Sequence, residues 1–528
     1  MPSLFLRHRP PLTAPWRWTD RGNSVPCMVN MWAARRSFWN RLAVLKFAGS
    51  KVVEIPLPGG DEAPVRAVPL SARFPGIGID RVLVAERIPT DEDDARAERF
   101  YRVMARLFRT FSPNAPGLPS IPADRDRALQ DAYTDAHRRL FPPPEFPEEF
   151  RALDLGALAT AGPYAHYLTA TGPGTYEWDL RALDDYDVHP GLVRLGVSVK
   201  FVQEGAGVRA VGIDSALGAV TPVDAAWERS VGLALCAATT HTSLVRHYNW
   251  VHLVPGAAFA MATRSALPRN HPLKRLLWPH VFRTQFSNWV TTVGQLSPGG
   301  DFESIFSFTR PAVLRLYDDT AAAFDATVVD PQRDAEKRGI TGRGLELPVL
   351  ENSLAHHEVM RAHAERYLRA YYPGDAALAG DADVQRWFAQ LDRIVPNGVG
   401  ALGDTQTVDA ASRLIGSLIH LVSYQHEAYG TLLWNYQLWT QVQPIRVSAS
   451  GAPEPVDVYQ RLVNADFGLN IRRSPMLQDF SYLAIDHAGR AAFRAYLADL
   501  LALQTRLEAE PRALYKVLPE MLEANMNG

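Results

Sequence analysis

From Asp224 almost to the end of the chain, apolar residues return at three- and four-residue intervals over long stretches, and this pattern restricts the chain to a mainly helical body. The spacing predicts helices over 225–254, 271–293, 352–372, 383–394, 407–438 and 491–509, with a shorter one over 457–463. Ahead of this body, 91–111 opens with acids and carries apolar residues at helical spacing, which predicts another amphipathic helix. Four prolines in 112–122 and four more in 142–147 predict loops. Strand-like alternation is confined to 51–56 and to 193–201 and 208–213, which flank EGAG and predict a small β-hairpin. The fold class expected is mainly α, one large helical domain with a small β-hairpin region.

Composition narrows the function. Hydrophobic residues are 47% and charged residues 21% of 528, a globular balance that excludes a mainly disordered chain. Lysine and arginine number 55 against 57 acids, so the net charge of -2 offers no basic field for nucleic acid. Cys27 and Cys236 are read as inert, partly buried thiols. Arg7, Arg9 and two prolines interrupt the N-terminal apolar run where a secretory signal needs continuity. Apolar runs elsewhere fall short of the roughly 20 residues of a spanning helix. A soluble, cytoplasmic protein with no stable membrane insertion is expected.

The stretch 241–280 reads HTSLVRHYNWVHLVPGAAFAMATRSALPRNHPLKRLLWPH and holds five of the chain's 15 histidines. His247 and His252 stand five apart. On a regular α-helix five steps of about 100° leave their side chains about 140° from each other, too far to meet one ion. A local π turn, with its i to i+5 spacing, brings them to one side. Two readings stay open on the residues alone: a metal-binding pair across a π turn, or two unrelated histidines, one buried and one exposed. His271 and His280 sit in HP and PH dipeptides. Proline after His271 biases it away from helix, so it is read as capping the turn into 272–277, and both histidines as structural.

The segment ATRSALPRNHPLKRLLWPH, 262–280, resembles the lipoxygenase family, in which an AT-x-R-x-L-x-x-x-HP-I-x-K-L-L-x-PH stretch follows an H-x4-H ligand pair. The likeness runs without a gap from Ala262 through Asn288, and Gly256 supplies the one extra residue needed after His252. The family's arginine falls on Ser265, with Arg264 one step early, its first lysine falls on Arg275, and its Glu-Pro pair after the second ligand is missing. The resemblance implies that His247 and His252 bind a mononuclear, non-haem iron, with manganese as the other possibility. A third histidine ligand is implied at the end of a later apolar helix, after a glutamine. His426, 174 residues beyond His252 and preceded by Gln425, fits that place; His420, on the same predicted helix, is the rival. The family's further ligand four residues on falls on Gly430, which has no donor atom, and Glu427 is left at most a role behind the ligands. The end of the chain, LYKVLPEMLEANMNG, is similar to the family's closure, which implies that the α-carboxylate of Gly528 is the last ligand; the other reading is a frayed tail.

Three imidazoles and a carboxylate suit iron or manganese better than copper, and the set contains no thiolate. What the resemblance implies is a dioxygenase that inserts O2 into a polyunsaturated fatty acid or related lipid to give a hydroperoxide, by hydrogen abstraction at a metal-bound hydroxide. Its small residue beside the oxygen route falls on Thr291, which departs from the family's alanine or glycine. Residues 1–150 are then an N-terminal extension and helical cover, and 151–528 a helical catalytic domain of the type without an N-terminal β-barrel. Two other functions remain: a lipid-binding homologue without redox activity, for which Gly430 and Gly528 speak, and an iron oxygenase acting on another unsaturated metabolite.

Overall fold

The computed structural model describes residues 55–59, 65–93, 154–437, 443–452, 474–510 and 515–526, with a few isolated positions besides. Most of the region expected to form the N-terminal cover lies outside the described residues. So do most of the 91–111 helix, both proline-rich loops, most of the 51–56 and 457–463 elements, Cys27 and Gly528.

The centre of the molecule is one long rod. Helix α1 (Trp227–His241) passes without a break into a π-helix (Thr242–Gly256), which passes into α2 (Ala257–Ala266). Nearly every side chain along it is buried, because alanine, glycine and threonine let neighbours approach and the apolar pattern runs round the whole circumference. Pro255 sits inside the π-helical stretch.

The predicted 271–293 helix is two helices, α3 (Pro272–Val281) and α4 (Thr284–Gly294). The break comes at Arg283, whose φ of 63° no helix interior admits. His271 caps α3 as expected: its Nδ1 accepts from the Leu273 amide at 3.1 Å. Its Nε2 lies 3.1 Å from Asp381, which caps α7 (Ala382–Ile394) through the amides of Asp383 and Val384 and also takes the Tyr372 hydroxyl. The two ends of separate helices are thus tied by one imidazole. Between α4 and α7 run α5 (Arg310–Ala322) and α6 (Pro348–Tyr371). Helix α6 packs against α8 (Val408–His420) and α11 (His487–Ala509).

The 407–438 helix is also interrupted. After α8 comes a single π turn (Leu421–Gln425), then α9 (His426–Tyr429), a break at Gly430, and α10 (Thr431–Gln437). Gly430 has φ −96° and ψ −105°, outside the helical region, so the helix ends there; its amide still donates to the His426 carbonyl one turn back, at 2.9 Å.

The predicted hairpin is the middle of a larger sheet. A two-stranded pair, β1 (Ala67–Pro69) with β2 (Leu83–Ala85), precedes an antiparallel meander of β3 (Thr169–Gly172), β4 (Thr175–Asp179), β5 (Val197–Glu204), β6 (Gly207–Ser215) and β7 (Gly218–Val220). Gly205, at φ 61°, makes the turn between β5 and β6. The flanking strands β3, β4 and β7 are too short for their alternation to stand out in sequence. Val199, Phe201 and Ile213 are buried, and α1 packs against β5 and β6, so the sheet holds the first end of the rod. No helix among the described residues is long and apolar enough to cross a membrane.

Candidate metal centre

His247 and His252 both stand on the π-helical part of the rod, and His426 follows the π turn after α8. The wider winding of a π-helix brings residues five apart to one side, which the α-helix cannot do. The three rings form a nearly equilateral triangle: centroids are 5.0 Å apart for His247–His252 and 4.9 Å for each of the other pairs. One nitrogen from each lies within 4.8 Å of those from the other two.

All three side chains are buried. Neither nitrogen of His247 nor Nδ1 of His252 has a hydrogen-bond partner, and Nε2 of His252 faces Nε2 of His426 at 3.1 Å. Buried polar atoms without partners are costly, and a cation held by one nitrogen of His247 would relieve part of that cost. Burial first, then the neighbouring imidazoles, hold His247 and His252 well below the ordinary histidine range. Both are therefore neutral and able to donate a lone pair to a cation. The donor set, nitrogen without sulfur, fits iron or manganese.

Several groups around the triangle keep it in place. Asn288 on α4 donates to the His252 carbonyl at 2.9 Å. Tyr248 stacks on His252 at 5.6 Å, touches Phe302 at 4.5 Å, and accepts from the Gln295 amide at 3.1 Å. Trp434 lies edge-on to Tyr248 and Phe306. Trp434 and Tyr436 are thus core residues, while Trp439 lies outside the described residues. Asn288 was within reach of sequence reading, being the last residue of the ungapped likeness. Nothing in the spacing marked Tyr248.

His420 is not part of the triangle. It stacks on Tyr424 at 4.7 Å, and its Nε2 lies 3.1 Å from the Ser353 hydroxyl. Thr291 is buried on α4, three residues beyond Asn288, and its carbonyl accepts from the Gln295 amide. Gly430 lies against His247: a Cβ added there would meet Nε2 of that ring at 2.8 Å. Cys236 is fully buried, with its Sγ 3.2 Å from the Ile445 carbonyl.

The C-terminal segment is not frayed as far as it is described. His280 Nδ1 lies 2.8 Å from the Ala524 carbonyl, and Asn525 donates to the Pro279 carbonyl at 2.9 Å. The side chain of Met526 packs against Gly256, the last residue of the π-helix. His280 is thus structural, as expected, and what it fixes is the chain end. Among the described residues one other grouping has metal-ligand spacing, His271 with Asp381 and Asp383; His271 and Asp381 are already used in the two helix caps, and the Asp383 carboxylate pairs with Arg386.

The three convergent histidines, on π turns within a mainly helical body, have the spacing of metal ligands, and comparison with known proteins shows what the chain is similar to. Residues 221–445 match the lipoxygenase family model. The manganese lipoxygenase of Pleurotus sapidus is 25% identical over 232 residues, 41% of this chain and 34% of its own. The linoleate 9S-lipoxygenase 2 of Oryza sativa subsp. japonica is 27% identical over 232 residues, 40% of this chain and 26% of its own. The chain therefore spans about a third or less of the length of these relatives. A calcium-dependent 11R-lipoxygenase structure superposes with a TM-score of 0.67 at 14% identity, over 88% of this chain and 78% of that one. An anaerobic structure of a LOX variant in complex with arachidonate does so with 0.67 at 15%, over 88% and 79%. The family model thus matches less than half of the chain, and the fold is that of the lipoxygenases.

Proposed function

We propose that this protein is a lipoxygenase-type dioxygenase that inserts O2 into a polyunsaturated fatty acid or related lipid to give a hydroperoxide. The observation that carries the reading is the triangle of three buried imidazoles, with ring centroids 4.9–5.0 Å apart and both nitrogens of His247 without a hydrogen-bond partner. His247, His252 and His426 would hold a mononuclear iron, or manganese, and the α-carboxylate of Gly528 would complete the set. The burial of the segment through Met526 against the π-helix supports that last assignment. When bound, the metal supplies a one-electron couple between its 2+ and 3+ states for hydrogen abstraction from a doubly allylic methylene.

The chain's own residues do the positioning. The π-helix sets the two imidazoles on one side, and Asn288 anchors the backbone of the second. Tyr248, Phe302 and Trp434 form an aromatic wall beside the site that excludes water and suits a hydrocarbon chain. Thr291, on the same helix as Asn288, would stand by the oxygen route.

The test is metal analysis followed by oxygen uptake. Protein expressed in iron-rich medium should hold about one iron per chain and turn linoleate into a conjugated diene hydroperoxide. Oleate, which lacks a doubly allylic methylene, should not react. Absence of any transition metal would refute the catalytic reading. Metal-loaded protein that consumes no O2 with any polyunsaturated acid or ester would favour another unsaturated substrate.

A further inference from the structure

The third histidine has a carboxylate behind it. Glu427 follows His426 directly, is 1% exposed, and places Oε1 3.3 Å from Nδ1 of that ring. On the other side of the same ring, Nε2 faces His252 at 3.1 Å. The imidazole therefore lies between a buried carboxylate and the point where the three histidines converge. The adjoining backbone is fixed independently, because the Tyr515 hydroxyl donates to the Ala428 carbonyl.

We infer that Glu427 is a positioning residue for the metal centre, acting through His426. The inference rests on the metal-binding reading given above. An ionised carboxylate only accepts hydrogen bonds, so it selects the tautomer of His426 with the proton on Nδ1. Nε2 is then bare and directed to the site. The carboxylate also makes the imidazole a stronger donor and sets one negative charge a ring's width from the metal, which favours its higher oxidation state. Gly430 contributes no donor atom to the site, so this chain strengthens a ligand it has rather than adding one.

Two substitutions separate the parts of this role. In Glu427→Gln the amide oxygen still accepts from Nδ1 but the charge is gone. Iron affinity should stay within a few-fold of wild type while the Fe(III)/Fe(II) potential rises. In Glu427→Ala both are lost, and affinity for Fe2+ or Co2+ should fall roughly 10–100-fold, the usual effect of removing a group that orients a metal-binding histidine. Histidine-ring 15N NMR on the metal-free proteins gives a readout independent of the metal: the His426 signal should report the Nδ1–H tautomer in wild type and Glu427→Gln, and a mixture in Glu427→Ala. If Glu427→Ala keeps wild-type affinity, potential and tautomer, Glu427 has no such role and the histidine site stands without it. If Glu427→Ala does not fold, an unchanged potential in Glu427→Gln refutes the inference alone. If wild-type protein takes up neither Fe2+ nor Co2+, the metal reading falls, and this inference with it.

Discussion

A Cβ on Gly430 would stand 2.8 Å from Nε2 of His247 and 2.6 Å from the His426 carbonyl oxygen. Real Cβ atoms do not approach so closely, so the glycine is what lets the His247 ring occupy its place. Gly430→Ala should push the His247 ring from the triangle and lower metal content several-fold while the protein stays folded. Metal analysis alongside thermal unfolding checks this; full occupancy in the variant would show that the ring can move aside at no cost.

His420 and His426 should separate cleanly. His420→Ala removes a stacked ring and a hydrogen bond to Ser353, which should cost about 2 kcal/mol of stability and leave metal content intact. His426→Ala should abolish metal binding. If the two outcomes were exchanged, His420 would be the ligand.

The chain end offers another test. Appending residues after Gly528 should displace the terminal carboxylate and lower iron content and activity together. Gly256→Ala places a Cβ 2.6 Å from the Met526 sulfur and 2.1 Å from the Val251 carbonyl oxygen, so it should loosen the final segment and make it a protease target. A tagged protein with unchanged iron and activity would remove the fourth ligand from the proposal.

Acid should destabilise the metal-free protein. Burial lowers His280 and His356 to about 4, whereas both titrate near 6.5 once unfolded. Between those values the unfolded chain binds more protons, so stability is complete above about pH 6.5 and falls as pH drops towards 4, by up to roughly 3 kcal/mol for each residue. The lowered His363 and His420 act in the same direction. Urea midpoints measured from pH 7.5 to 4.5 should show this slope, and His280→Gln with His356→Gln should flatten it; an unchanged slope in the double variant would place the effect elsewhere.

The helical body was legible because its apolar spacing is long and regular, and the ligand candidates because five histidines crowd 241–280 and the family resemblance points to His426. Two places were not. The break at Arg283 rests on a left-handed backbone in a residue that does not ordinarily adopt it, so no local signal marks it. The break at Gly430 hides in a run whose periodicity continues on both sides. The π turn that sets His247 and His252 on one side was among the readings of their five-residue spacing, and the structure has it; how His426 meets them depends on packing between distant helices, which spacing does not encode. Glu427 was visible as a residue, but its contact with the neighbouring ring depends on side-chain rotation that spacing does not encode.

The sealed setting of the triangle has a kinetic side. His247, His252 and His426 are 0%, 2% and 1% exposed, so an ion held there leaves no faster than the surrounding segments open. Its release rate would then be independent of chelator concentration once chelator is in excess, and would instead follow the opening of the π-helix, α9 or the closing C-terminal strand of chain. Exchange with an isotope of the same metal thus becomes a clock for local breathing at the centre of the protein.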